Sequence, residues 1–263
     1  MNNRRLLRDW PLAVFTLAIQ AGSGIVLAST IAAMLRLPTR VAVQHQLEAA
    51  VFFLVVGGLA VSTMHLGRPL SAWRAFANLF HSKLSLEVFL TSAFAVTAGA
   101  FSLTSGDAGT PARVYISAIT CACGLAAVCS GAAIYKIPAR SSWNSGWVLS
   151  SFLGSTIVIA GASAFFCWDD MHLAVILTLA GGALVLISGA WMGLRLQLLE
   201  TKDIRIWFYA HLGLAISALL LLGSYLSDRA MQGAVLPAAL AAGLAIITGR
   251  MLMFALGEVE SRF

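Results

Sequence analysis

Polar residues arrive in bunches along this chain, and the apolar runs between them show neither strict alternation nor a broad charged face. Broken at Pro, Gly, Ser and charged clusters, these runs predict eight membrane-crossing helices: 11–35, 45–66, 84–105, 112–136, 147–168, 171–195, 204–226 and 233–257. Each supplies the roughly 20 residues that cross a hydrocarbon core of about 30 Å. A membrane β-barrel is excluded, because its strands would alternate apolar and polar with a period of two. The segment 70–81 is too short to span, but Trp73, Phe76 and Phe80 recur at i, i+3 and i+7, which predicts an amphipathic helix lying in the interface. The fold class is therefore all-α, a polytopic helical bundle forming a single membrane domain over 1–263.

Composition supports this assignment. The chain is 59% hydrophobic and 11% charged, with mean hydropathy +0.87, whereas a soluble domain carries about 25% charged residues. A net charge of +6 and a pI near 9.6 would suggest nucleic acid as a partner in a soluble protein, but no basic run of five or six residues exists here. The excess is better read as topology. An even number of spans puts both termini on one side, called X, which also carries Arg4, Arg5, Arg8, Arg68, Lys83 and Lys136; the opposite side, Y, carries Arg36, Arg40, Arg113 and Arg229. The positive-inside rule then makes X cytoplasmic, although a soluble partner docked on X would select the same basic loops. The start MNNRRLLRDWPLAVF imitates a signal peptide, but its apolar run continues to Leu35 without a small-residue cleavage pattern, so it reads as a retained first helix. Cys121, Cys123, Cys129 and Cys167 fall in or at the end of apolar runs and lack metal or cluster spacing, which makes them packing residues. Gly22-Ser23-Gly24, Gly57-Gly58 and Gly181-Gly182 predict close helix crossings. No internal repeat is evident, though eight spans can hold two four-helix halves.

The stretch Met64–Glu87, MHLGRPLSAWRAFANLFHSKLSLE, is the most polar and aromatic-rich interruption. An ionisable group inside the hydrocarbon costs about 2.5 to 3.5 kcal/mol at a helix centre, so each one calls for a reason. His65 closes the second helix, Glu87 opens the third, and His211 and Arg250 lie about 10 Å in from the X ends of their helices. Tyr135 closes the fourth helix on the same side, and Gln20 lies nearer the middle of the first. On side Y, His45, Glu48, Asp169, Asp170 and His172 sit at helix ends within reach of water, which predicts a polar interior in the X half and a greasy Y half. Structural readings compete throughout. His65 can be interfacial, Glu87 a first-turn acid favoured by the helix dipole, and His211 a hydrogen bond to a neighbouring helix. Arg250 can snorkel or pair with Glu87 or Glu258, while Trp10, Trp73, Trp143 and Trp147 read as belt anchors rather than ligand contacts.

A pocket with apolar walls and a polar end, open toward lipid, suits an amphipathic quinol. Oxidising it takes a proton acceptor connected to water, a role fitted to His65 and Glu87. A cation such as Arg250 stabilises negative charge developing on the ring oxygen. The chain holds no cysteine cluster, dinucleotide fingerprint or flavin site, so its electrons would leave through a redox partner docked on side X.

Four segments carry a family resemblance: DWPLAVFTLAIQ at 9–20, the 64–87 stretch, YKIPARSSWNSGW at 135–147 and GRMLMF at 249–254. Together they resemble the membrane anchor subunit of the dimethyl sulfoxide reductase family, along essentially the whole chain. The resemblance implies a prokaryotic inner-membrane anchor that oxidises menaquinol without haem, metal or iron–sulfur cluster of its own. It implies two partners, an iron–sulfur subunit with four clusters and a molybdopterin catalytic subunit that sets the terminal acceptor. It also implies that His65 is tied to menaquinol oxidation and that Glu87 is an acid of the same site. Gln20, Arg68, Tyr135, His211 and Arg250 complete the candidate quinol-binding set. Three other readings stay open. A b-type cytochrome would use His65 with His211, or His45 with His172, as haem ligands. An ion-coupled transporter would place its polar groups at the midplane between broken helices. The last is an anchor that only tethers its partners.

Overall fold

The computed structural model describes residues 10–65, 73–76, 79, 81–104, 110–138, 143–168, 171–198, 202–227 and 233–260. Among these are eight α-helices: α1 (Trp10–Leu35), α2 (Val41–Ser62), α3 (Lys83–Ser102), α4 (Pro111–Ile134), α5 (Gly146–Cys167), α6 (His172–Leu198), α7 (Lys202–Ser227) and α8 (Val235–Glu260). All eight are long and apolar enough to cross a membrane. The predicted second span differs at both ends. It begins at Val41 rather than 45 and stops at Ser62, after which Thr63–His65 tighten into a 3-10 turn. Of the predicted interfacial helix 70–81, residues 73–76 form a single 3-10 turn with Trp73 and Phe76 exposed; its remainder lies largely outside the described residues.

Local chemistry sets the helix ends. Arg36 adopts a left-handed φ of 51° after α1, and Leu37 N–H donates back to the Ala32 carbonyl at 2.9 Å, the hydrogen bond of a Schellman close. The chain then pairs Thr39 with Trp168, and Arg40 N–H donates to the Cys167 carbonyl at 2.7 Å, which fastens the α1–α2 link to the end of α5. Ser82 caps α3 by accepting from Ser85 N–H at 3.3 Å. Glu87 is thus the fifth residue of α3 and lies beyond its first turn, so the helix dipole does not account for it.

Helices α1 to α4 pack in sequence and α4 returns to α1, closing one four-helix ring; α5 to α8 close a second, and the two rings join chiefly along α1 and α5. Small residues make that junction possible. A Cβ on Gly24 would lie 2.6 Å from the Thr156 carbonyl oxygen, a close backbone approach of α1 to α5; within the second ring, one on Gly181 of α6 would lie 2.5 Å from Val158 N of α5. The main buried cluster runs through Phe15, Ile19, Val51, Phe94, Phe101, Phe152 and Leu256, with α1 at its centre. All four cysteines are free; Cys121 and Cys167 are buried, and Cys129 is exposed on the outer surface.

Candidate functional site

Glu87 points from α3 toward α4, where Gly131 makes room for it. A Cβ on Gly131 would stand 2.9 Å from Glu87 Oε1. The carboxyl is buried, at 7% exposure, and makes no ion pair or hydrogen bond among the described residues. It borders a cavity of about 10 Å³ lined from α1, α3, α4 and α5, whose polar lining is Thr16, Gln20, Glu87 and Thr91. The spacing is helical on both contributing elements. Gln20 follows Thr16 by four residues and Thr91 follows Glu87 by four, so each pair shares a face.

Arg250 reaches this site from α8. Its Nη2 donates to Gln20 Oε1 at 2.9 Å, its Nη1 lies 3.5 Å from Met253 Sδ, and its guanidinium stands 3.7 Å from the centroid of the Phe152 ring, which also lines the cavity. A guanidinium over an aromatic face is attracted by the ring quadrupole, and with Gln20 this supports a cation that is 2% exposed. No ion pair joins Arg250 to Glu87 among the described residues, and the Glu258 side chain is not described. Four buried polar atoms nearby have no hydrogen-bond partner among the described residues: Gln20 Nε2, Ser23 Oγ, Thr91 Oγ1 and Arg250 Nε.

Tyr135 joins the site through Phe152. Its ring centroid lies 5.2 Å from Trp143, 5.9 Å from Phe152 and 5.5 Å from Phe254. Trp143 Nε1 donates to the Met253 carbonyl at 2.8 Å, so Trp143 belongs to this aromatic wall. Trp143 and Trp147 are 5% and 3% exposed, which corrects their reading as belt anchors; Trp10 and Trp73 are exposed, as anchors would be.

Of the candidate residues, Glu87, Gln20, Arg250 and Tyr135 thus meet around one cavity and one shared phenylalanine. His211 lies elsewhere, between α6, α7 and α8. Its Nδ1 is 2.8 Å from the Ala245 carbonyl oxygen, and its ring is packed against Gly249 and Gly189. That is a contact between helices of the second ring, apart from the cavity beside Glu87. His65 ends the 3-10 turn on side X, with its side chain outside the described residues, as is the whole of Arg68. Sequence reasoning missed Thr16, Thr91, Gly131 and Phe152; the i, i+4 spacing from Gln20 and Glu87 was the available signal for both threonines.

The Y half is not greasy, contrary to expectation. Glu48 and Arg113, 1% and 2% exposed, form an ion pair between α2 and α4. Gln44 Nε2 donates to Glu48 Oε1 at 2.9 Å, Arg113 Nη1 donates to the Thr104 carbonyl at 2.8 Å, and the guanidinium lies 5.3 Å from the Phe101 ring. Because α2 starts at Val41, Glu48 sits two turns inside the helix rather than at its wet end. The two halves therefore differ in satisfaction, not polarity. The buried Y-side charges Glu48 and Arg113 are mutually paired, whereas among the described residues the X-side acid Glu87 stands without a partner beside unpartnered amide and hydroxyl groups.

The eight apolar spans among the described residues define a multi-pass membrane protein, with a buried polar cluster in one half of its bundle. The sequence model for the DMSO reductase anchor subunit, DmsC, matches residues 1–174, and the chain belongs to that family. It is accordingly a membrane anchor subunit of a DMSO reductase-type oxidoreductase complex, in a family whose anchors associate with catalytic and iron–sulfur subunits and bind quinol. The match includes Gln20, Glu87 and Tyr135 and stops before His211 and Arg250. No curated protein matches the chain.

Proposed function

We propose that this anchor oxidises menaquinol in the X half of its N-terminal bundle. Each quinol gives up two protons and two electrons. His65 and Glu87 take the protons and Arg68 holds a ring oxygen, while Gln20, Tyr135 and Arg250, buried around the inner cavity, steady the developing negative charge without touching the ring. The electrons leave to an iron–sulfur subunit with four clusters docked on side X, and a molybdopterin subunit reduces the terminal acceptor. The complex resides in a prokaryotic inner membrane, with both termini of this chain on one side, cytoplasmic by the distribution of basic residues.

The observation that carries this reading is the contrast between two buried acids. Glu48 has the ion-pair partner that a structural carboxylate requires, whereas Glu87, buried on α3, has none among the described residues and opens on a polar cavity. An acid so placed suits proton exchange better than packing. At about 10 Å³ the cavity admits a water-sized group and not a ring. Glu87 therefore acts as the inner acceptor, with the ring docking nearer the end of α2 and His65.

The test uses the whole complex in membrane vesicles. His65→Leu and Glu87→Gln should each leave the subunits assembled and reduction by an artificial electron donor intact, while abolishing quinol-driven turnover. Normal quinol turnover in both variants would make this chain a tether and nothing more.

A further inference from the structure

We propose that the cavity between α1, α3, α4 and α5 is a seat for one structural water that joins Glu87 to the Gln20–Arg250 pair, with Gln20 and Thr91 as positioning residues for the Glu87 carboxyl. The inference takes Glu87 to be the inner proton acceptor proposed above, but the water seat itself stands on geometry alone.

The cavity has the volume of about one water. A buried water is held by two to four polar groups, and the lining supplies that number. Gln20 Nε2 and Thr91 Oγ1 are both on residues of 0% exposure, both line the cavity, and neither has a hydrogen-bond partner among the described residues. The Glu87 carboxyl borders the same space. One water accepts from Gln20 Nε2, donates to a Glu87 carboxyl oxygen, and exchanges a hydrogen bond with Thr91 Oγ1. Two buried polar groups that are costly to leave unpaired are satisfied at once.

The same water gives Gln20 a relay function. Its carbonyl oxygen is polarised by Arg250 Nη2 at 2.9 Å, which strengthens the amide N–H on the other end as a donor. Arg250 thereby influences Glu87 through an amide and a water, with no direct ion pair. A direct salt bridge would hold the acid permanently ionised, whereas a relayed contact leaves it able to accept and release a proton.

The experiment is cryo-electron microscopy of the full complex in nanodiscs, at a resolution that shows buried waters, on the wild type and on Thr91→Val and Thr91→Ser. The wild type and Thr91→Ser should show a density peak within hydrogen-bonding distance of Gln20 Nε2 and Glu87, and Thr91→Val should lose it. Quinol-driven turnover should fall about tenfold in Thr91→Val, which corresponds to about 1.4 kcal/mol, and recover in Thr91→Ser, with donor-driven reduction unchanged throughout. No peak in the wild type, or a peak that survives in Thr91→Val, overturns the seat. A peak lost without a fall in turnover overturns the positioning role. If Glu87→Gln itself turns over quinol normally while the peak is present, the role of Glu87 as inner acceptor fails and the water seat stands.

Discussion

Arg250 on the last helix donates to Gln20 on the first across 2.9 Å, although 230 residues separate them in sequence. The contact joins a buried cation to a neutral amide, so removing either partner has unequal consequences. Gln20→Leu leaves a guanidinium enclosed without its oxygen acceptor, a loss on the order of 3 kcal/mol. Arg250→Met leaves only a neutral amide oxygen unpaired, about 1–2 kcal/mol. Thermal denaturation of the purified complex in nanodiscs should rank wild type above Arg250→Met and Arg250→Met above Gln20→Leu. The opposite ranking would show that Gln20 is not what sustains the buried charge.

Gly131 offers a way to move Glu87 without changing its chemistry. An added Cβ would stand 2.9 Å from Oε1, and the far end of a side chain yields where backbone would not. Gly131→Ala should therefore assemble normally but displace the carboxyl by a fraction of an ångström to one ångström. Misplacement on that scale costs about 10- to 100-fold in rate. Steady-state quinol oxidation should fall by that range, and Gly131→Ala placed on top of Glu87→Gln should cost nothing more, because the group being displaced has already lost its function.

The Glu48–Arg113 pair on side Y should behave in the opposite way. Breaking a buried pair by removing one partner costs about 3–5 kcal/mol, while replacing both with apolar residues of similar volume is often neutral. Glu48→Leu and Arg113→Met should each lower complex yield and melting temperature, and the double variant should recover most of both. Quinol turnover per assembled complex should be unchanged in all three. A selective loss of turnover in any of them would move part of the chemistry to side Y.

How much of this was legible in the sequence depended on whether the signal was local. Eight spans could be read because each needs about 20 apolar residues in a row, and helices α1 to α8 match those runs within a few residues. Glu87, Gln20, Tyr135 and Arg250 were legible because a polar group at membrane depth is conspicuous in any helix. Their mutual arrangement was not, since depth fixes height along the bilayer normal but not which neighbour a helix face meets. His211 has the same depth signal as Arg250 and packs on a different set of helices. Glu48 was misplaced for a local reason. Reading α2 as starting at 45 put the acid in the wet first turn, whereas the start at Val41 buries it. Trp143 and Trp147 were assigned by the habit of tryptophan at helix ends, but the Met253 carbonyl gives the Trp143 indole a buried partner.

The junction of the two rings supplies the sharpest steric prediction. On Gly24 of α1 a methyl group would lie 2.6 Å from the Thr156 carbonyl oxygen and 3.0 Å from Ala160 N, both backbone atoms of α5 that cannot rotate away. Gly57 of α2, also in a glycine-rich stretch, would meet nothing within 4 Å. Helix propensity favours alanine over glycine by about 1 kcal/mol at both positions, so propensity alone predicts that both substitutions stabilise. Packing reverses this at Gly24, where overfilling a close crossing costs about 1–3 kcal/mol or more and forces α1 and α5 apart. Because α1 also carries Gln20, and α5 carries the Phe152 ring beneath Arg250, the separation reaches the site. Gly24→Ala should reduce melting temperature and quinol turnover together, and Gly57→Ala should leave both at or slightly above wild type. Equal behaviour of the two variants would mean that α1 and α5 do not meet at Gly24 in the membrane.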